Sequence, residues 1–456
     1  MRIKQILIVL SIVIFCSVVS YRLGVLAQMT GALKSIVEPG SMVTEASYVI
    51  FTDGNGNYYA RNGDTGEIQY KSTNASWVIQ SAINSVPSWG TVFLKKGVYN
   101  SPSVEYLEID DSNPVYLTGE LGTTLERIGI RINSDGNDYA AFRPVLSNLI
   151  IDGMDYTKGS VGLWIKRFHH TSFKDIFIKR WDVGIKLVGG LWIIDFYNTR
   201  VYDSSSYGIY IAGLGASGAD EAVNAINFYG GWIGSCDICV YAQGETRDVH
   251  FFGTDLEPAG TNIVKLEEYN GYIPRAWVFD GCTFEAYVEG MDVLLLTGTG
   301  PNYYYGPRHI TFRDCAFNFG NNVTIINVTH GWGIEMINPD LLSFPNATYS
   351  IVFGAESNEC EVNEPRKVHI YPSLSIKNSG TNNRFIGHNI LLRTENSGTT
   401  IITNGDWIIH GLTTTPSIVT LTPRSNVNVW VNDRNATHFQ VGVSSGTVTV
   451  DWYAEV

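Results

Sequence analysis

An internal repeat between residues 146 and 318 constrains the fold of this chain more than any other feature. Each unit has an apolar leading residue, a turn residue two places on and an apolar residue five places on. Successive units begin 23 to 33 residues apart, a spacing typical of one solenoid coil with extra residues in its corner loops. The units are LSNLII at 146, FKDIFI at 173, FYNTRV at 196, FYGGWI at 228, FFGTDL at 251, FDGCTF at 279 and FRDCAF at 312.

The residue types in this repeat predict a stack of β-coils. The turn position always holds Asn, Asp or Gly, which tolerate a left-handed or bridging backbone. A second alternating strand follows each unit, as at 161–165 and 183–187. The chain is therefore predicted to be all-β and to fold as a parallel β-helix. Six leading rings are predicted to stack in one buried ladder: Phe173, Phe196, Phe228, Phe251, Phe279 and Phe312.

A helical pattern precedes the repeat at residues 74–86, with Asn74 or Thr73 as the expected N-cap. Its apolar residues recur on one face. The run VIQSAIN followed by GTVFLKKGVY resembles the opening of pectate-lyase-like β-helix proteins over about 25 residues. That resemblance implies a right-handed β-helix whose first coil is covered by an N-terminal capping helix. Residues 48–70, with two Gly-rich turns, are predicted to form a β-hairpin region.

The pattern changes past residue 395. Residues 404–456 read as five or six short alternating strands with Pro and Gly turns. Their HGL, LTP and DWYAEV segments resemble the terminal β module of viral tail-fibre and tailspike-like proteins, which implies trimerisation or receptor contact. About 50 residues bury little core alone, so a homotrimer is expected. The predicted regions are a signal anchor or signal peptide at 1–27, a linker at 28–47, the β-helix at 48–403 and the C-terminal β module at 404–456.

The N-terminus carries an export signal. Arg2 and Lys4 precede an apolar run, Ile6 to Val19, which fits a signal anchor or the core of a cleaved signal peptide. The basic residues send the rest of the chain outward. The body is therefore predicted to be extracellular, held in the membrane by residues 6–21 or secreted after cleavage near Ala27. Five Asn-x-Ser/Thr sequons are candidate glycosylation sites: Asn74, Asn322, Asn327, Asn346 and Asn435.

Charge and cysteine content exclude two classes of partner. The formal charge is −13 and no Lys/Arg block is present, so nucleic acid is not an expected partner. Of the six cysteines, Cys16 lies in the apolar run. A Cys236-x-x-Cys239 metal site would need a second ligand pair, which the sequence lacks. The other five are predicted to be small buried hydrophobes: Cys236, Cys239, Cys282, Cys315 and Cys360.

Side chains four and six places after each leading residue are expected to point outward, because side chains alternate along a strand. This places Glu257 and Glu285 side by side on neighbouring coils, with Asp255 beside Glu257. These three carboxylates are candidate catalytic groups, candidate Ca²⁺ ligands or a plain solvated acidic strip. No other cofactor is indicated. The neighbouring residues predicted to bind a sugar are Arg200, Tyr202 and Trp232.

Two functions remain open at this point. The first is a non-catalytic surface or virion-type appendage that recognises a polysaccharide or cell-surface glycan. The second is a carbohydrate-active lyase, hydrolase or epimerase on the same fold. The sequence lacks the paired-Asp motif and Gly-His-Gly loop of polygalacturonase-like enzymes and the WIDH-type motif of pectate lyases, so no catalytic residue is carried over. The fold alone does not decide between the two functions. The missing enzyme motifs and the tail-like terminal module favour the appendage.

Overall fold

The computed structural model describes residues 46–455, except 111–113, 135–144, 215–220, 259, 287–289, 301–302, 320–321, 344–347, 364–365, 368–372, 387–394, 411 and 413–414. The predicted signal segment, nearly all of the linker and Asn346 lie outside the described residues. Within the described part of the chain, no helix is long and apolar enough to cross a membrane.

The structure is almost entirely β. The N-terminal elements are β1 (Tyr48–Thr52), β2 (Tyr58–Asn62), β3 (Ile68–Ser72), α1 (Ala75–Ser85), β4 (Thr91–Leu94), β5 (Val98–Asp110) and β6 (Tyr116–Asn133). The central coils begin with β7 (Val145–Asp152), β8 (Val161–Lys166), β9 (His169–Lys179), β10 (Val183–Val188), β11 (Leu191–Tyr197), β12 (Arg200–Tyr202), β13 (Tyr207–Ala212), β14 (Val223–Tyr229), β15 (Trp232–Gly234) and β16 (Ile238–Gln243).

The stack continues with β17 (Thr246–Phe252), β18 (Asp255–Glu257), β19 (Asn262–Glu267), β20 (Arg275–Asp280), β21 (Thr283–Ala286), β22 (Asp292–Thr297), a 3₁₀ turn (Tyr303–Tyr305), β23 (Arg308–Arg313) and β24 (Ala316–Phe319). The last coils contain β25 (Val323–Ile337), β26 (Asp340–Ser343), β27 (Thr348–Asn358), β28 (Glu361–Asn363), β29 (Arg366–Lys367), β30 (Ser373–Asn378) and β31 (Arg384–Ile386). The C-terminal strands are β32 (Glu395–Ile402), β33 (Trp407–Ile409), β34 (Ile418–Pro423), β35 (Val429–Arg434), β36 (His438–Val443) and β37 (Val448–Glu455).

Each central coil contributes three strands, and each strand pairs in parallel with its counterpart on the next coil. For example, β10 pairs with β13, β11 with β14, and β12 with β15. Three parallel sheets result, which we call face 1 (β8, β10, β13, β16, β19, β22), face 2 (the first half of β9, then β11, β14, β17, β20, β23) and face 3 (the second half of β9, then β12, β15, β18, β21, β24). The all-β solenoid has about nine turns, so the predicted parallel β-helix is confirmed.

The predicted phenylalanine ladder forms the core of face 2. The six leading rings are 0–3% exposed, and consecutive ring centroids lie 4.5–5.0 Å apart with interplanar angles of 4–17°. Such offset stacking adds roughly 0.5–1.5 kcal/mol per pair beyond burial. The ladder prediction is therefore confirmed, and it fixes which side chains of every coil point outward.

The corner between faces 2 and 3 is the turn that the repeat predicts. All seven predicted turn residues, from Asn148 to Asp314, have positive φ between 48° and 64°, and Asn338 continues the row at 50°. Asn, Asp and Gly are the residues that reach this left-handed region most readily. Asn198 also donates its side-chain amide to Asp175 Oδ1 on the preceding coil at 2.7 Å. The turn is therefore stabilised both within and between coils.

The N-terminal region has the predicted hairpin and helix. Strand β2 pairs antiparallel with both β1 and β3. In α1, Asn74 is the N-cap, because its Oδ1 accepts from the backbone amides of Ser76 and Trp77. The buried face of the helix includes Val78 and Ile83. The helix contacts β3 and β5, and its role as the cap of the solenoid stays a prediction.

The C-terminal strands form two antiparallel three-stranded sheets with a core of their own. Strand β37 pairs with β32 and β34, and β36 pairs with β33 and β35. Five of these strands lie within 404–456, whereas β32 precedes the predicted boundary at 404 and joins the module through β37. His410 is buried, with Nε2 2.9 Å from the carbonyl oxygen of Asn435, which is a structural role.

The five cysteines outside the apolar run are buried free thiols. Burial raises the pKa of Cys236 to about 11 and that of Cys360 to about 12. A thiol with such a pKa is a poor nucleophile at neutral pH, because the thiolate is the reactive form. The prediction that these five cysteines are buried is therefore confirmed.

Candidate functional site

The residues predicted to bind a sugar lie together on face 3. Arg200 pairs in register with Trp232, and Trp232 pairs with Asp255 on the next coil. The rings of Tyr202 and Trp232 stack with centroids 4.9 Å apart. Gly234 makes this possible, because a Cβ at that position would lie 2.6 Å from the Trp232 ring. The predicted arrangement of these side chains is present.

A groove continues face 3 toward the N-terminus. Arg200 and Phe177 line it together with Leu121 and the turn residues Asn148 and Asp175, and its volume is about 490 Å³. Arg200 forms no ion pair with any described residue. The groove therefore offers one exposed guanidinium above an apolar floor.

The three predicted carboxylates lie near one another at the other end of face 3. Burial raises the pKa of Asp255, and the charges of Glu285 and then Glu257 raise it further. Asp255 Oδ1 is buried and has no hydrogen-bond partner among the described residues. Glu285 Oε1, by contrast, accepts from Asn318 Nδ2 at 3.2 Å. The buried environment of Asp255 therefore favours its protonated form.

The calcium hypothesis gains no geometric support here. Among the described residues, no group of three or more His, Cys, Asp or Glu side chains is placed to hold a metal ion. Calcium takes six to eight oxygen ligands, which three strand-borne carboxylates provide only when water supplies the rest. Ca²⁺ binding at Asp255, Glu257 and Glu285 stays a prediction.

The sequons occupy different environments. Asn322 and Asn435 are exposed. The side-chain amide of Asn74 donates to both oxygens of Glu105, and that of Asn327 donates to Asp292 Oδ2 at 2.9 Å. A glycan on either of these two amides would replace a hydrogen bond seen in the structure. Glycosylation stays a prediction for all five sequons.

A second row of side chains, on face 1, was not among the predicted site residues. It consists of one outward residue from each of six successive coils, in register. Cations and aromatic rings make up the whole row. We call it the cation–aromatic row: Arg131, Trp164, Lys186, Tyr210, Tyr241 and Lys265.

The cations of this row lie against its rings. The Lys186 ammonium is 4.7 Å from the Trp164 ring centroid and 5.6 Å from that of Tyr210. The Arg131 guanidinium is 5.1 Å from Trp164, and Lys265 is 5.1 Å from Tyr241. Each such contact stabilises by roughly 0.5–2 kcal/mol, most where water is excluded. The rings therefore hold the cations in place at the surface.

The two ends of the row differ in how well its polar groups are paired. At the C-terminal end, Tyr241 donates to Glu267 at 2.6 Å, and Lys265 lies 3.2 Å from the same carboxylate. At the N-terminal end, Arg131 Nη1 pairs with Glu108 Oε1 at 3.1 Å, but Trp164 Nε1 and Arg131 Nε are buried without a hydrogen-bond partner among the described residues. Buried donors without partners carry a free-energy cost that a bound acceptor removes.

Lys186 is the cation of this row whose pKa is displaced by burial. Burial lowers its pKa, and no carboxylate among the described residues forms an ion pair with it. A cavity of about 230 Å³ at the N-terminal end of the row is lined by Arg131, Trp164, Asn133, Lys166 and Glu108. This end of the row can therefore accept a ligand that supplies hydrogen-bond acceptors or negative charge.

The sequence contains a signal for this row. The quoted strands at 161–165 and 183–187 place Trp164 and Lys186 at the same outward position, and the strands that follow place Tyr210 and Lys265 there. When these second strands are aligned with one another, the fourth position of each one gives the row.

Comparisons with known proteins were made for sequence and for structure. No protein-family model and no curated protein matches the sequence. Solved structures with a similar course of the chain include ORF18 of Geobacillus virus E2 (TM-score 0.47, 12% identity, 86% of this chain and 83% of that chain). They also include the Dettilon tailspike protein (TM-score 0.38, 9% identity, 83% of this chain and 90% of that chain). Pectate lyase Pel9A is a third (TM-score 0.41, 11% identity, 65% of this chain and 71% of that chain). The two kinds of protein that the sequence was found to resemble, β-helical pectate lyases and tailspikes, are thus among its structural neighbours.

Proposed function

We propose that this chain is an exported, non-catalytic β-helix protein that binds a polysaccharide or cell-surface glycan along the cation–aromatic row of face 1. One observation carries the proposal. Lys186 lies between Trp164 and Tyr210 with no ion-pair partner among the described residues, beside two buried donors that lack acceptors. A sugar offers hydroxyl acceptors to such donors and C–H groups to the negative faces of the rings.

The test is a glycan-array screen of the purified full-length chain, followed by calorimetry with the best ligand. Lys186→Ala and Trp164→Ala should each weaken binding at least 10-fold, the effect of losing about 1.4 kcal/mol. Arg200→Ala on face 3 is the matched control and should bind normally. Equal losses in all three variants, or no ligand on the array, would refute the assignment to face 1. A reducing-end assay on the bound polymer should detect no cleavage.

We further propose that the protein is held outside the cell by residues 6–21, or secreted after cleavage, and that α1 caps the first coil. The export pattern of Arg2 and Lys4 before the apolar run supports this location. N-terminal sequencing of the exported protein separates the two alternatives. A mature chain that begins near residue 28 would establish cleavage.

We also propose a homotrimer joined through the C-terminal module. The motivation is its exposed apolar surface, where Ile401 and Ile409 are 69% and 68% exposed and Trp430 is 46% exposed. Isolated apolar residues are common on surfaces, but several on one small module indicate a contact site. Light scattering should give a trimer for the full chain and a monomer for Ile401→Asp/Ile409→Asp. A monomeric wild-type chain at micromolar concentration would refute this proposal.

The alternative function is a glycoside hydrolase or related enzyme on face 3. The observation that favours it is Asp255, whose raised pKa suits a proton donor beside the carboxylates of Glu257 and Glu285. If the reducing-end assay detects cleavage and Asp255→Asn abolishes it, the alternative replaces the non-catalytic proposal.

A further inference from the structure

Three arginines occupy equivalent positions at the start of successive strands on face 2. Arg247, Arg275 and Arg308 each lie four residues before a leading phenylalanine of the core ladder. They pair in register, Arg247 with Arg275 and Arg275 with Arg308. Adjacent rungs of a parallel sheet are roughly 4.8 Å apart. We call these three residues the arginine ladder. Like charges directly opposite each other on a sheet repel, so the arrangement has a cost unless anions offset it.

The described acidic residues offset this charge only in part. Arg247 and Arg275 both donate to one atom, Glu245 Oε1, which lies 2.7 Å from Arg275 Nη2. Two guanidiniums therefore share a single carboxylate. Asp248 lies next to Arg247 and is exposed. Arg308 donates to the backbone oxygen of Tyr304.

Arg247 has an unused donor. Its Nε is buried and has no hydrogen-bond partner among the described residues. Burial lowers the pKa of Arg247, and the charge of Arg275 lowers it further, which agrees with two cations held close together. The side chains of Arg247 and Arg275 remain 37% and 41% exposed. A ligand in solution can therefore reach both guanidiniums.

Aromatic rings border the ladder at its C-terminal end. The Arg308 guanidinium is 5.2 Å from the Tyr304 ring centroid and 6.0 Å from that of Trp332. Trp332 occupies the next rung after Arg308. A surface that combines guanidinium donors with ring faces suits a sugar that carries an acidic group, because the rings pack against its C–H groups and the guanidiniums donate hydrogen bonds to its oxyanion.

We infer that the arginine ladder binds the oxyanion of an acidic saccharide, either the carboxylate of a uronate or a sulfate ester. This inference rests on the proposed function in one respect, since the ligand is again a glycan. It concerns a different face of the solenoid and a different kind of contact. Guanidinium forks match carboxylate and sulfate oxygens in a bidentate geometry that lysine does not reproduce. An oxyanion at Arg275 would also relieve the repulsion between the rungs.

The experiment uses the full-length chain and three oligosaccharide probes of similar length. These are oligogalacturonate, which carries carboxylates, dextran sulfate, which carries sulfates, and uncharged dextran. Calorimetry should detect binding of at least one acidic probe. Arg275→Gln should weaken it at least 10-fold, because a hydrogen bond to a charged group is lost with the charge. Arg275→Lys, which keeps the charge and loses the fork, should weaken it by a smaller factor. The acidic probe with the larger loss identifies the oxyanion.

Arg313→Gln is the matched control. Arg313 lies on β23 of the same face, 49% exposed, 3.6 Å from Asp280. The substitution removes one positive charge outside the arginine ladder, so the affinity for the acidic probe should stay within 2-fold of the wild-type value. Thermal melting of every variant should coincide with that of the wild type, which shows that lost binding is not lost folding.

Several results would overturn the inference. If Arg275→Gln and Arg313→Gln weaken binding equally, the attraction is a general charge effect. If a polyglutamate peptide binds more tightly than either acidic saccharide, the ligand class is wrong. If Lys186→Ala abolishes all glycan binding and Arg275→Gln changes none of it, the inference fails while the proposed function stands. If none of the probes binds and the glycan array is also blank, both fail.

Discussion

Faces 1 and 3 are built from the same alternating strands, yet they use their aromatic rings differently. On face 3, Trp232 stacks on Tyr202, so one ring covers the other. On face 1, Lys186 lies between Trp164 and Tyr210, so the rings hold a cation. A ring that packs on a ring contributes mainly to stability, whereas a ring that packs on an ammonium also holds a charge in place at the surface.

The two faces also differ in the sign of their buried electrostatics. Face 1 holds Lys186 with a lowered pKa, and face 3 holds Asp255 with a raised pKa. Burial is the first cause of both shifts, because it disfavours the charged form of either group. Aromatic residues on a β-helix surface therefore do not by themselves mark a binding site. The charges packed against them carry that information.

The first prediction concerns the core that faces 1 and 3 share, and its effect on stability should be the largest. Phe251→Ala should lower the free energy of unfolding by about 3–5 kcal/mol, because it leaves a cavity in the stacked ladder. Urea denaturation followed by tryptophan fluorescence measures the loss. Phe252→Ala, which removes the neighbouring outward ring, is the control and should cost about 1 kcal/mol or less. Similar losses in the two variants would contradict the assigned alternation of core and surface.

The second prediction separates the two faces directly. Trp164→Ala should weaken glycan binding at least 10-fold, about 1.4 kcal/mol, whereas Trp232→Ala should change it less than 2-fold. Calorimetry with the same oligosaccharide for both variants gives the comparison. The reverse order of effects would move the binding surface to face 3 and restore the site predicted from Arg200, Tyr202 and Trp232.

The third prediction concerns the pH dependence that Lys186 imposes. Because burial lowers its pKa in the folded state below 10.5, the unfolded chain binds more protons in the window just below pH 10.5. Stability of the wild type should therefore rise with pH across that window relative to Lys186→Met. The measurement is the difference in urea midpoint between the two proteins from pH 7 to 10.5. A constant difference would show that Lys186 titrates normally.

The fourth and smallest effect is the opposite dependence at Asp255. Its folded pKa lies above 3.8, so the folded chain binds more protons in the window just above that value. The wild type should lose stability relative to Asp255→Asn as the pH rises through this window. Melting temperatures of the wild type and Asp255→Asn between pH 3.5 and 7 test it. A variant that gains no relative stability at pH 7 would count against burial of this carboxyl.

Much of the fold was predictable because the repeat encodes it twice. The leading phenylalanines determine the core, and the Asn, Asp or Gly two places on determines the corner between faces 2 and 3. A second left-handed column, three residues before each leading phenylalanine, was not predictable. It holds residues such as Ile193 and Ala225, at φ of 57° and 55°, which do not favour that conformation. Tertiary pairing on both sides imposes it there.

The candidate site was predicted less completely. The outward columns of face 3 placed Asp255, Glu257 and Trp232 as the structure has them, because they belong to the same repeat as the core. Face 1 lies beyond variable corner loops, so its distance in sequence from the leading phenylalanines varies between coils. The arginine ladder lies on the same strands as the leading phenylalanines, four residues before them, and therefore outside the two outward positions from which the site was predicted. The side chains four and six places after each leading residue all lie on face 3, so they could predict functional residues only on that face.

The register of the coils has a consequence for how such a protein can change over generations. Each of the six coils of the phenylalanine ladder adds one residue to each outer row and one ring to the core, and Leu146 and Met336 occupy the rungs before and after it. Duplication or loss of a whole coil would lengthen or shorten every row by one step, roughly 4.8 Å, and leave all other rungs aligned. The coil is therefore the unit in which the length of the solenoid can change. The length of each outer row can therefore change in whole increments while the remaining side chains keep their register.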